Sequence, residues 1–336
     1  MNAINTPITK RSLRKHQPTV LVLGGYGFIG RHIVSALESL NARVLIGTRR
    51  KKSAFSAKNE RHIALHKLGN NNSWEDWLCG VDVIINAVGI LRQRHGETYD
   101  EVHHQAVKKL ANACAKRDIR LIHISALGLN NIVKSRFLTS KLLGEQALVK
   151  SKADWHLIRP SLVDGDGGYG AQWFRRVAQW PIHFIPSNAR ANIAPIFASD
   201  LGKATAAIAL GNNTTDFVRN SDRIYELGGQ TMTLERYLNT LRLRQKSNKA
   251  FCIRVPAIAC RALSHLCDLF HLTPFSFGHY ELLKHDNEPE KNRLTELLNS
   301  WSEMNRATIE LLRASALWQY RMCETYKLQA KYPTAI

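Results

Sequence analysis

Apolar runs long enough to span a bilayer are missing from this sequence. The best candidate, 251–275, is interrupted by Arg254, Arg261, His265 and Asp268, whereas a spanning helix needs about 20 predominantly apolar residues. Cysteine is scarce: six occur in 336 residues and no two form a Cys-x-x-Cys pair. That argues against a disulfide framework or zinc ribbon and fits a reducing compartment, cytoplasm or organellar matrix. No internal repeat or low-complexity tract is present. Acids are the largest deficit, with 27 Asp and Glu against 47 Lys and Arg, a formal net charge of +20 at pH 7. Residues 1–70 hold thirteen of the cations and two acids, Glu38 and Glu60. A surplus of this size attracts polyanions without naming one. No helix-turn-helix, zinc finger or aromatic-basic RNA motif accompanies it, so no specific nucleic acid is implied. The stretch Met1–Gln17 is basic and has no apolar segment, which excludes a secretory signal. It reads as a flexible leader over 1–18, with an organellar transit peptide as the alternative.

From Thr19 the pattern is regular. Thr19–Leu23 is a short apolar run ended by glycines, as a strand buried on both faces requires. A helical pattern follows over Phe28–Leu40, then strands at Arg43–Gly47, Ile63–Leu65 and Val81–Asn86. A helix over Glu101–Lys116, a strand at Arg120–Ser125, a helix over Arg136–Lys150 and a strand at Trp155–Arg159 complete the series. This alternation predicts an α/β fold, a Rossmann-type doubly wound parallel sheet, with a smaller, mostly helical C-terminal part. The expected division is 19–250 for the nucleotide-binding domain, with extension elements from about 161, and 251–336 for the helical region. In the extension, Asp164–Gly170 reads as a loop, Ile193–Phe197 and Arg223–Leu227 as strands, and Asp200–Leu210 and the stretch from Thr233 as helices. Beyond Val255, helices are expected at 257–270, 278–284 and 291–331. The last, with Leu294, Leu297, Leu298, Trp301 and Met304, either covers the domain or joins another subunit.

The chemistry-bearing motif is Gly24-Gly25-Tyr26-Gly27-Phe28-Ile29-Gly30, spaced Gly-x-x-Gly-x-x-Gly between a strand and a helix. Glycines let the backbone approach a pyrophosphate, and the helix N-terminus offers unpaired N–H groups and the positive end of its dipole. The end of the second strand selects the dinucleotide. An NAD site has Asp or Glu there for the ribose hydroxyls; this chain has Thr48-Arg49-Arg50-Lys51-Lys52, suited to a 2′-phosphate. NADP(H) is therefore expected in preference to NAD(H). Leu68-Gly69-Asn70 follows the third strand, where adenine would lie, and Asn86-Ala87-Val88-Gly89 ends the fourth, beside the middle of the cofactor.

Together with Ser125-Ala-Leu-Gly128, Lys141 in Ser140-Lys-Leu-Leu-Gly-Glu145, and Arg159-Pro160-Ser161, these motifs resemble the atypical short-chain dehydrogenase/reductases. Within them the likeness is to the subgroup of the nucleotide-binding accessory subunit of mitochondrial complex I and its bacterial relatives, often labelled NAD-dependent epimerase/dehydratase. Thr273-Pro274 and Tyr280-Glu-Leu-Leu-Lys-His-Asp-Asn287 share in it. The resemblance covers roughly residues 19–287. It implies cofactor contacts from Gly24, Tyr26, Gly27, Phe28, Ile29, Gly30, Arg49, Arg50, Leu68, Gly69, Ala87, Val88, Gly89, Lys141 and Pro160, and a catalytic Ser125 and Lys141.

The family's proton relay is Tyr-x-x-x-Lys, in which Tyr is the acid or base and Lys lowers its pKa and binds the nicotinamide ribose. The step ending at Lys141 starts here at Phe137, which has no ionisable hydroxyl. Ser125 is left to hold a carbonyl oxygen and Lys141 to bind ribose hydroxyls. His103 and His104 read as polar-face residues and lack a third ligand for a metal, so no metal is expected. Asp164 stands where relatives commonly carry an aromatic residue, and with Asp166 it reads as a turn former. The expected protein is an NADP(H)-binding one with a degenerate acid/base site in an accessory, sensing or assembly role. The alternative is an active reductase or epimerase with another proton donor. A further reading is a peripheral protein whose basic and helical C-terminal regions meet a protein partner or an anionic membrane surface.

Overall fold

All five residues of β1, Thr19–Leu23, are buried, because the strand lies at the centre of a parallel sheet covered by helices on both faces. The computed structural model describes residues 17–48, 59–63, 77–130, 133–211, 220–270, 281–282 and 286–331, apart from single residues 95, 188, 190, 245 and 247. After β1 come α1 (Phe28–Ser39), β2 (Arg43–Thr48), β3 (Glu60–His62) and β4 (Val83–Asn86). A π-helical turn, Asp100–Gln105, runs into α2 (Ala106–Ala115), followed by β5 (Arg120–Ile124), α3 (Arg136–Val149) and β6 (Asp154–Pro160). Then follow β7 (Val163–Asp164), α4 (Tyr169–Ala178), β8 (Ile182–Pro186), β9 (Asn192–Ile193), β10 (Ile196–Phe197) and α5 (Ala198–Leu210). The chain continues with β11 (Ile224–Leu227), β12 (Met232–Thr233), α6 (Leu234–Leu243), β13 (Phe251–Val255), α7 (Ala257–Phe270) and α8 (Leu294–Lys331).

Seven strands form the main sheet in the order β11-β6-β5-β4-β1-β2-β3, and each of its pairings is parallel. The fold is thus the expected Rossmann-type α/β one with a helical C-terminal part. Alternate residues of β1 serve the two layers. Val20 and Val22 meet Ile33 and Leu37 of α1 and Leu201 and Ala204 of α5. Leu21 and Leu23 meet Val107, Leu110 and Ala111 of α2. The start of α8 belongs to the first layer: Leu294 and Leu297 are buried in it, Trp301 and Met304 pack against it, and the Trp301 Nε1–H donates to the Ala36 carbonyl at 3.3 Å. This stretch of the tail covers the domain.

The third strand lies three residues earlier than the apolar triplet at 63–65 suggested. Register pairs Ile46 with Glu60 and Thr48 with His62, and the Ile63 amide bonds the Thr48 carbonyl at 2.7 Å, so Ile63 closes the edge strand as a buried plug. The π-helical turn replaces the first turn of the helix expected from Glu101. Sequence periodicity gave no sign of α4 or β8, and it merged β9 and β10 into one strand. The leader over 1–16, Thr273-Pro274, Tyr280 and all of the helix expected over 278–284 except Glu281 and Leu282 lie outside the described residues.

Small residues set the distance between α1 and α5. A Cβ on Gly202 would fall 2.5 Å from the His32 carbonyl oxygen, a backbone atom that cannot swing away. Gly202→Ala should therefore prise α5 from α1 and lower the unfolding free energy by about 1–3 kcal/mol, read from urea unfolding midpoints.

Candidate functional site

The sheet order reverses between β1 and β4, and a crevice opens at the carboxyl ends of these strands, where ligands of open α/β sheets bind. Its volume is about 300 Å³, and its lining includes Gly24, Tyr26, Gly27, Thr48, Ala87, Val88 and Gly89. Three contacts build the turn. Gly24 has φ +76°, its N–H donates to the Gly47 carbonyl at 3.3 Å, and the Gly27 N–H donates to the Gly24 carbonyl at 2.8 Å. A Cβ on Gly30 would lie 2.1 Å from the Gly24 oxygen, so only glycine lets α1 start against its own entry turn. α1 thus starts from Gly27, which lines the crevice, and no acid occupies its first turn. Tyr26, at the rim, donates its hydroxyl hydrogen to Glu60 of β3.

Not all of the expected cofactor residues line the crevice. The Phe28 ring packs under the loop after β7, where a Cβ on Gly168 would meet it at 2.6 Å. Ile29 packs against the first core layer, and Gly30 acts through the turn. Pro160 ends β6 and accepts the Leu127 N–H at 2.9 Å. Arg49, Arg50, Leu68 and Gly69 lie outside the described residues; Arg49 directly follows Thr48.

Behind the β4 end of the crevice lies a relay that periodicity did not foretell. His103, on the π-helical turn, is 3% exposed, not a polar-face residue. Its Nε2 accepts the Ile90 N–H at 3.1 Å, and its Nδ1 meets the Ser140 Oγ at 3.0 Å. The Ser140 hydroxyl donates to the Phe137 carbonyl at 2.9 Å. With Nε2 accepting, Nδ1 must carry the hydrogen, so the ring is neutral and its tautomer fixed. The contact between α3 and this turn is close, since a Cβ on Gly144 would stand 2.0 Å from the His103 carbonyl oxygen. His104, by contrast, faces outward and bonds Asp100 at 2.8 Å.

Phe137 is 8% exposed and packs edge-on against Tyr99 and His103, with ring centroids 5.5 Å apart in both cases. The Tyr99 hydroxyl donates to the Leu91 carbonyl at 3.0 Å. One turn on, the Lys141 Nζ lies 5.8 Å from the centre of the Phe137 ring. Glu145 is engaged by Arg159, from which it accepts three hydrogen bonds, the shortest at 2.6 Å. Burial pushes the Lys141 ammonium down to about 8, partly opposed by Glu145. Burial, with the Lys141 charge second, holds His103 at about 2 and His123 at about 3. Asn86, at the end of β4, is tied to His123 by a 3.2 Å contact between its Nδ2 and the ring Nδ1. Ser125, just past β5, is 6% exposed, and its Oγ has no hydrogen-bond partner among the described residues. A buried hydroxyl left free is costly unless a ligand atom completes it.

The C-terminal region reaches this site through two buried residues. The Glu281 carboxylate accepts the N–H groups of Lys134 and Ser135 at 2.7 and 2.9 Å, just before α3, while the Ser135 side chain caps that helix through the Leu138 N–H. Asn287 donates to the Leu127 carbonyl at 3.1 Å and accepts the Ser161 hydroxyl at 2.8 Å. Both lie in the 280–287 phrase whose likeness to relatives the sequence showed without a role. Asp164 is buried against Arg175 at 2.9 Å, anchoring α4 as well as forming its turn. Among the described residues no group of three or more His, Cys, Asp or Glu could hold a metal ion.

Residues 20–130 match the model of the NAD dependent epimerase/dehydratase family. Over 233 residues the chain is 25% identical to the NADH dehydrogenase (ubiquinone) 1 alpha subcomplex subunit 9, mitochondrial, of Dictyostelium discoideum, covering 66% of this chain and 62% of that protein. It is 27% identical over 150 residues to the ceramide reductase of Caulobacter vibrioides, covering 44% and 47%. The chain thus spans less than two thirds of the length of these relatives. In structure it resembles a nucleoside-diphosphate-sugar epimerase from Staphylococcus aureus, with a TM-score of 0.62 at 15% identity over 85% of this chain and 99% of that one. That likeness bears on the fold alone.

Two tests of this geometry follow from its buried groups. Both histidines have folded pKa values far below the ordinary 6.5, so the native state binds fewer protons than the unfolded chain. Their contribution is complete above pH 6.5 and is lost as pH falls towards 3, at about 1.4 kcal/mol per unit for each ring. Urea unfolding between pH 4 and 8 should show that acid limb, and His103→Gln should reduce its slope by one proton. Glu281→Ala leaves the buried Ser135 N–H and the Lys134 N–H without this acceptor and should cost about 1–3 kcal/mol, with Glu281→Gln recovering part of the loss in the same assay.

Proposed function

We propose, from the premise that residues 20–130 are an NAD-dependent epimerase/dehydratase-family domain, that this protein binds NADP(H) in the β1–β4 crevice and acts in an accessory, sensing or assembly role with its acid/base pair disabled. The observation that carries the reading is Phe137, edge-on to Tyr99 and His103 at the position of a relay hydroxyl. The glycine turn and the free N–H groups of α1 support a pyrophosphate there. Lys141, beside no carboxylate that would neutralise it among the described residues, supports a ribose. When bound, the nicotinamide supplies hydride chemistry. The residues present supply binding, and Ser125 supplies an unpaired hydroxyl for a carbonyl oxygen.

NADP(H) over NAD(H) rests on Arg49-Arg50-Lys51-Lys52, which follows directly on the crevice-lining Thr48. An accessory role draws support from a relative named as a subunit of a larger assembly. Placement in a reducing compartment, cytoplasmic or organellar, draws support from Cys79, Cys114, Cys252 and Cys260, all free thiols. Organellar placement is further favoured by the mitochondrial designation of that relative.

The second reading, an active reductase or epimerase, is favoured by Lys141 itself. With its pKa at about 8, it is largely protonated at pH 7 and close enough to neutrality to give up a proton. A bacterial relative is named as a reductase.

Calorimetric titration and turnover assays on the purified chain decide between them. NADPH should bind at least about tenfold tighter than NADH, and Arg49→Glu with Arg50→Glu should abolish that preference. The wild type should show no turnover at ordinary enzyme rates with NADPH on a panel of carbonyl and nucleotide-sugar substrates. Phe137→Tyr should raise any residual rate. Ordinary rates that Lys141→Met abolishes would establish the second reading instead.

A further inference from the structure

The small sheet of β8 and β13 exposes an apolar outer face. Its inner residue Ile185 is fully buried against Leu234, Tyr237 and Leu238. Its outer face carries two cross-strand pairs in parallel register, Ile182 beside Phe251 and Phe184 beside Ile253, with relative exposures of 38, 70, 57 and 37%. Trp180, two residues before β8, is 53% exposed. The chain then enters α7, where Ile258 and Leu263 stand 84 and 58% exposed. A solvated sheet face is ordinarily polar, and a contiguous apolar patch marks an interaction surface.

The charge around this face names its occupant. Between residues 243 and 263 the chain has no acid and five exposed cations, Arg244, Lys246, Lys249, Arg254 and Arg261, of which Arg254 pairs with Glu235 of α6 at 2.8 Å. A second copy docking on the same face would set this cationic fringe against itself. Aromatic and aliphatic side chains fringed by Lys and Arg are matched instead by an anionic lipid headgroup layer, with the apolar groups entering its acyl boundary and the cations meeting phosphate. No helix among the described residues is long and apolar enough to cross a bilayer, so the contact is with its surface.

We infer that the outer face of β8 and β13, together with the first turns of α7, is a docking surface for an anionic membrane. It lies outside the dinucleotide crevice and does not depend on what fills that crevice.

Flotation of the full chain with vesicles tests this. The protein should float with phosphatidylcholine vesicles containing phosphatidylglycerol and not with phosphatidylcholine alone, and raising the salt should weaken the attachment. Phe184→Ser with Phe251→Ser should reduce vesicle-bound protein about tenfold or more, as should Lys246→Glu with Lys249→Glu, while circular dichroism, unfolding midpoint and nucleotide binding stay unchanged. If the serine variant misfolds, Ile258→Ser on the exposed helix face serves the same purpose. The inference is overturned if the wild type stays unbound with the anionic vesicles, if the folded variants bind like the wild type, or if light scattering shows a dimer that the serine substitutions dissolve. Loss of nucleotide binding in the wild type would bear on the proposed function and leave the vesicle result standing.

Discussion

The start of α1 is held against its own entry turn more tightly than any side chain would permit, and the site depends on that approach. With a Cβ at position 30 placed 2.1 Å from the Gly24 oxygen, any other residue would push the helix off the end of β1. The crevice wall at Gly24 and Gly27 would then deform, and the contact of α1 with α5 across Gly202 would open with it. The same helix holds the start of α8, through the Trp301 bond to the Ala36 carbonyl. One backbone contact therefore couples the ligand-facing turn to the packing of a segment more than 260 residues away.

A second coupling runs through His103. The imidazole accepts from the crevice wall at Ile90 and donates to α3 at Ser140, which makes it a strut between the two halves of the candidate site. A strut of this kind works only when neutral. Burial and the nearby Lys141 charge both favour that form, and they act together rather than in opposition. The arrangement also removes His103 as a proton donor, because its one hydrogen is committed to the Ser140 oxygen and its other nitrogen is filled. From the far side, Glu281 fixes the N-terminus of α3, so Phe137 and Lys141 sit on a helix braced at its start and along its flank.

The doubly wound core was legible in the sequence because its signals are local. Continuous apolar runs such as Thr19–Leu23 and the 3.6-residue pattern of α1 need no knowledge of distant residues. The glycine turn was legible for the same reason. What escaped depends on partners remote in the chain. The β8 strand is defined by its pairing with β13 some seventy residues on, and α4 begins after a glycine-rich loop with few apolar residues to announce it. His103 looked like half of a polar pair because neither Ile90 nor Ser140 is a neighbour in sequence. Glu281 and Asn287 were visible only as part of a familiar phrase; their roles as a cap and a clasp emerge from the backbone N–H and carbonyl groups they meet.

Lys141 bears most directly on what the site retains. The resemblance gives a lysine in a Tyr-x-x-x-Lys pair two tasks, to stabilise a phenolate and to hold ribose hydroxyls, and under the proposed function Phe137 leaves Lys141 only the second. Burial pushes its pKa down to about 8, and Glu145, engaged by Arg159, opposes that shift only in part. An acceptor brought in from outside would offset the cost of that burial further, and under the proposed function the sugar hydroxyls of a dinucleotide are acceptors of that kind. The free Ser125 hydroxyl carries the same implication for a carbonyl oxygen. The two halves of the proposed function, a disabled acid/base pair and a working dinucleotide site, are therefore compatible, because the groups that would hold the cofactor answer to different physical demands from the group that would move a proton.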